Sequence, residues 1–174
     1  MKWNSKIAAA VAFTSALGLH AQTANSPFAG LKANYDAVKS DWQKMAEQMP
    51  EENYSFKPMP EMRAFGQLVA HVADVQAQLC STVSGEKKAV NAGSKTSKAD
   101  LVAALKESSA ICDAAFDSLT EAIATQPAAM GKSRLALLEF NTGHSNEEYG
   151  YGSVYLRLKN VVPPSSAGRG GPGR

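Results

Sequence analysis

Two cysteines, Cys80 and Cys112, fall within two successive helical stretches, and their heights along those stretches restrict how the helices can run. The earlier stretch carries an apolar stripe at Phe65, Leu68, Val69, Val72, Val75 and Leu79. It ends near Ser84-Gly85, where glycine can take the left-handed conformation that closes a helix. The later one opens at Ser97 with Asp100 three residues on, turns Leu101, Leu105, Ser108, Ile111, Cys112, Ala115, Leu119 and Ile123 inward, and stops before Pro127. In an antiparallel hairpin Cys80 would lie about four residues before the turn and Cys112 about fifteen after it. That is a mismatch of roughly 16 Å at ~1.5 Å per residue, too wide for a disulfide. In a parallel pair the two are nearly level, about 18 and about 15 residues from their helix starts. The crossover GEKKAVNAGSKT, residues 85–96, stretched at about 3.3 Å per residue reaches about 40 Å, enough to return along a helix of about 34 Å. Pairing of Cys80 with Cys112 therefore predicts parallel helices. The alternative is two buried free thiols that fill core space.

Two further helices flank this pair. From Pro27 to Met49, Phe28, Leu31, Tyr35, Val38, Trp42, Met45 and Met49 recur at steps of three and four, with Ser26 and Pro27 suited to the cap and first turn. A last stripe starts near Ser133 and runs through Leu135, Leu138, Asn141, His144, Glu148 and Tyr155 toward Lys159. Pro50, Pro58 and Pro60 mark a loop between the first two helices, and no strand alternation is present. The expected fold is all-α: a four-helix bundle of up-down-down-up topology, with a long crossover between helices 2 and 3.

The chain ends bound its location and partners. Residues 1–21 carry Lys2 and Lys6 and then an uncharged apolar run from Ile7 to Leu19. This reads as a secretory signal peptide too short to span a membrane, cut after Ala21. The expected organisation is a leader at 1–21, the bundle at 22–162 and a disordered Pro/Gly tail at 163–174. The protein is expected to be exported, periplasmic or secreted, without a stable membrane anchor, and an oxidising compartment favours the disulfide. Loss of Lys2 and Lys6 brings 18 basic residues to 16, level with the 16 acidic ones. A neutral chain whose last arginines, Arg169 and Arg174, sit in a Gly/Pro tail offers no basic face for nucleic acid.

His71 and His144 lie on helical stripes that face the core, and imidazole is a ligand that bundles use to hold metal. The run HSNEEYGYGSVYLRLKNVVPPSS, together with LVAHVADVQ around His71, resembles the DinB-like family of four-helix proteins over residues 28 to about 166. The resemblance implies the same up-down-down-up topology and a divalent metal held by one histidine of helix 2 and a His-x-x-x-His pair of helix 4. His71 and His144 match two of those ligands, and Glu148 stands at the third. A glutamate four residues after a histidine points the same way, and two histidines with one carboxylate are a known ligand set for zinc and for iron(II). The implied ligands are therefore His71, His144 and Glu148, for a divalent ion such as zinc, nickel, iron or manganese. Glu147 and Asp74 are weak candidates for orienting them, with solvated surface charges as the stronger reading.

Family relatives include thiol-dependent transferases and isomerases. The resemblance implies a metal-dependent enzyme, a transferase or hydrolase, acting on a small molecule through an activated thiol or water. A homodimer is compatible with this reading. The alternative is a non-catalytic helical bundle that binds a ligand or partner, its metal site degenerate. Tyr149, Tyr151 and Tyr155 either line a pocket over the ion or belong to the core.

Overall fold

The helices begin and end where capping chemistry allows it in the computed structural model, which describes residues 26–167. Among the described residues there are five: α1 (Ala29–Gln48), α2 (Phe65–Val83), α3 (Lys98–Asp117), the single-turn α4 (Glu121–Ala124) and α5 (Arg134–Leu158). Ser97 and Ser133 cap α3 and α5 by accepting from the N–H groups of Asp100 and Ala136. Gly85, at φ 75°, closes α2: its N–H donates to the Thr82 carbonyl, and the Glu86 N–H to that of Ser81. The leader expected at residues 1–21 lies outside the described residues. Among the described residues no helix is long and apolar enough to cross a membrane.

Side-chain pairs define the helix directions. Between α2 and α3 they advance together: Gln76 Nε2 donates to Ser108 Oγ (2.9 Å) and Ser109 Oγ (3.2 Å), and one turn further Cys80 is bonded to Cys112 with Cα atoms 4.9 Å apart. These two helices run the same way. By contrast, α5 runs against α2, since Arg134 at its start donates to the Val83 carbonyl while Tyr155 near its end meets Phe65. Likewise α1 runs against α3, with Tyr35 donating to the Ser109 carbonyl and Lys98 to that of Met49.

The crossover is anchored where its sequence looked patternless. Val90 and Ala92 are buried, and the Asp74 carboxylate accepts from the N–H groups of Ala92 (2.7 Å) and Gly93 (2.9 Å). A loop stretched along a bundle must satisfy its buried backbone donors, and one α2 side chain does so here. Two expectations need correcting. The third helix does not continue to Ile123: it ends at Asp117, the Leu119 N–H closes a tighter turn on the Phe116 carbonyl, and Thr120 is extended before α4 begins. The bend keeps both Leu119 and Ala124 buried at the bundle end. Residues 163–167, expected at the start of a disordered tail, are ordered. Pro164–Ser166 form a 3-10 turn, Pro164 is buried, the Ser165 N–H donates to the Tyr149 hydroxyl (2.9 Å), and Arg157 donates to Ser166 Oγ. Residues 168–174 lie outside the described residues.

Beside this framework α1 and α5 meet closely. A Cβ on Gly152 would stand 2.5 Å from Met45 Sδ, so the helix contact depends on the missing side chain. Trp42 locks the same seam by donating to the Ser145 carbonyl (2.9 Å). The position of α5, and of the polar groups on its inner face, is fixed from both sides.

Candidate metal centre

Two helices supply three converging ligand atoms. His71 projects from the middle of α2, while His144 and Glu148 lie one turn apart on α5 and so share a face. The Nε2 atoms of His71 and His144 are 3.2 Å apart, and Glu148 Oε1 lies 3.5 Å from the first and 3.6 Å from the second. A tetrahedral ion with bonds of about 2.1 Å holds its ligand atoms about 3.4 Å from one another. The three observed edges bracket that value. The triangle thus already has the dimensions of one face of a coordination tetrahedron, and the group could hold a metal ion.

Burial and charge agree with the geometry. Side-chain exposure is 28% for His71, 17% for His144 and 10% for Glu148, so the carboxylate forms the floor and the rings open toward solvent. Burial is the largest effect lowering the His71 pKa below its ordinary 6.5, with the Arg63 charge next, opposed by Glu148. Burial thus favours the neutral ring, the form in which one imidazole nitrogen carries a lone pair for a ligand bond. Glu148 Oε2 is buried with no hydrogen-bond partner, and a hydrogen bond between the two rings would leave it so. A cation between the three atoms compensates a carboxylate that is otherwise poorly served. The donor set, two imidazoles and one carboxylate with an open side, fits zinc, nickel, iron(II) or manganese.

The remaining candidates lie elsewhere. Asp74 is committed to the crossover N–H groups and does not orient His71. Glu147 is exposed and accepts only from the Tyr151 hydroxyl (3.3 Å). Tyr149 and Tyr155 belong to the core, against Trp42 and Phe65 respectively, whereas Tyr151 is 48% exposed on α5. Arg63, just ahead of α2, was not singled out from sequence, because nothing in a loop arginine shows that its charge reaches a histidine eight residues on. Asn141 and Ser145 were also passed over as polar groups, although their places on the inward stripe were readable. Both are buried, with Asn141 Oδ1 and Ser145 Oγ unpartnered.

Fold and site together define a helical bundle with a two-histidine, one-carboxylate cluster at the seam of two antiparallel helices. The DinB superfamily profile matches residues 34–151, and the chain belongs to that superfamily. Among solved structures it is similar to a DinB-like protein from Bacillus cereus ATCC 10987, with TM-score 0.68 and 16% identity over 78% of this chain and 94% of that one. A DinB-like protein from Bacillus subtilis superposes with TM-score 0.63 and 19% identity, over 76% and 94% of the two chains. At these identities the likeness is one of fold. No curated protein matches the chain.

Proposed function

We propose that this protein holds one divalent cation through His71 Nε2, His144 Nε2 and Glu148 Oε1, and acts as an exported metal-dependent enzyme on a small molecule. The observation that carries the reading is the triangle of ligand atoms with edges of 3.2, 3.5 and 3.6 Å, open on its histidine side. When bound, such an ion would polarise a water or a thiol so that it becomes a nucleophile near neutral pH. The chain's own residues do the rest. Burial keeps His71 unprotonated and able to bind, Glu148 supplies one negative charge from the floor, and α5 fixes the spacing of its two ligands. The partly exposed rings leave an approach for substrate, while Glu148 lies on the more buried side. Export is supported by the Cys80–Cys112 bond, since such bonds persist chiefly outside reducing compartments. Outside them a water is a more available nucleophile than a low-molecular-weight thiol.

Metal analysis of protein purified without added ions tests this. About one zinc, nickel, manganese or iron per chain is expected, and it should be lost in His144→Ala. A metal-free protein whose thermal midpoint responds to no added divalent ion contradicts it, because a ligand that binds only the native state must raise that midpoint.

A further inference from the structure

On the buried face of α5 that carries Glu148, three polar oxygens have no protein partner: Asn141 Oδ1, Ser145 Oγ and Glu148 Oε2. Their residues are 1%, 2% and 7% exposed. They succeed one another on α5 at steps of four and three, so they stand on one inward face with neighbouring Cβ atoms about 5–6 Å apart. Ser145 is the telling member. The core residues Thr142 and Ser153 on the same helix, and Ser108 and Ser109 on α3, turn their hydroxyls onto a backbone carbonyl three or four residues back. Ser145 does not: its buried hydroxyl has no hydrogen-bond partner. Asn141 is oriented too: its Nδ2 faces Cys112 Sγ at 3.6 Å, which sends Oδ1 the other way.

Three unpaired buried oxygens on one face form a row of acceptors with a single hydroxyl donor among them. Left unpaired, each buried oxygen is destabilising, whereas a water donates two hydrogens and needs only two to four polar partners. We infer that Asn141, Ser145 and Glu148 form an internal hydration site on the buried face of α5 beside the ligand triangle. In it, ordered water fixes the second carboxylate oxygen of Glu148 and thereby aims Oε1 at the two histidines. Ser145 and Asn141 are then positioning residues that act on the ion through water and through Glu148. The hydration site itself does not depend on the ion. Its role in holding Glu148 for metal rests on the function proposed above.

The two claims are read separately. In a high-resolution crystal structure of metal-free wild-type protein, water is expected within hydrogen-bond distance of at least two of the three oxygens. Oxygens that are paired with protein groups, or that face an empty void, overturn the inference. The thermal midpoint of Ser145→Ala, in chelator, gives an opposite sign for the two cases. Loss of a water-bridged hydroxyl lowers the midpoint by about 3 °C, whereas loss of an unsatisfied one leaves it unchanged or raises it. Zinc affinity, measured by competition with a chromophoric chelator, should fall about tenfold in Ser145→Ala and recover in Ser145→Thr. An unchanged affinity in a folded Ser145→Ala overturns the positioning role. Should wild-type protein take up no divalent ion, the proposed function fails, while the water positions and the sign of the midpoint shift still decide the hydration site.

Discussion

Removal of the Cys80–Cys112 bond should cost this domain a large part of its stability while leaving its ligand triangle in place. Both sulfurs are fully buried, so a reductant reaches them only through unfolding, and the clean perturbation is the double variant Cys80→Ala/Cys112→Ala. The bond closes a loop across a sequence separation of 32. The chain-entropy estimate for such a loop is about 3.7 kcal/mol at 25 °C. Two vacated sulfur positions in the core add roughly 1 kcal/mol. A total of about 4–5 kcal/mol compares with the roughly 5–15 kcal/mol of a typical native domain. In urea titration with a slope near 2 kcal/mol per M, the midpoint should fall by about 2 M, with a somewhat steeper slope as the unlinked denatured chain expands. His71 lies nine residues before Cys80, about 13 Å along α2, so zinc affinity in the folded variant should stay within about threefold of wild type. A midpoint shift below about 0.5 M, or two reactive thiols in the unfolded, unreduced wild type, would refute the reasoning.

Three other outcomes follow from single side chains. In metal-free protein His71 resists protonation because its folded pKa lies below the ordinary 6.5. Its contribution is therefore complete above about pH 6.5 and is lost as pH falls below the unfolded value toward the folded one, and His71→Gln should flatten stability between pH 7 and 5 in thermal melts. Gly152→Ala places a Cβ 2.5 Å from Met45 Sδ and should destabilise by about 1–2 kcal/mol in urea, even after the gain in helix propensity. Asp74→Ala removes the acceptor of two crossover N–H groups. It should cost about 1–3 kcal/mol and speed amide exchange at Ala92 and Gly93 while leaving zinc affinity unchanged.

The convergence of His71, His144 and Glu148 was legible because the family resemblance pointed to those positions and helical periodicity converts spacing into direction. His144 and Glu148, four apart on an apolar stripe, had to share a face, and His71 had the same inward phase on α2. The like direction of α2 and α3 was legible from two cysteines, because a covalent bond of fixed reach turns sequence position into height. What stayed hidden depended on contacts between distant segments. Asp74 looked like a surface charge since its partners, Ala92 and Gly93, sit in a crossover without periodicity. Leu119 and Ile123 continued the α3 stripe, and only the extended Thr120 shows that the chain had turned, leaving Leu119 buried and Ile123 partly so. Pro163 and Pro164 correctly stop a helix, yet the same residues pack as a turn on Tyr149, which composition cannot distinguish from disorder.

X-ray anomalous scattering at the absorption edge of the metal found in the purified protein addresses the centre most directly. One peak is expected per chain, at about 2.0–2.2 Å from His71 Nε2, His144 Nε2 and Glu148 Oε1. No peak at that triangle in crystals grown with saturating zinc, or a peak bound by other residues, would contradict the assignment.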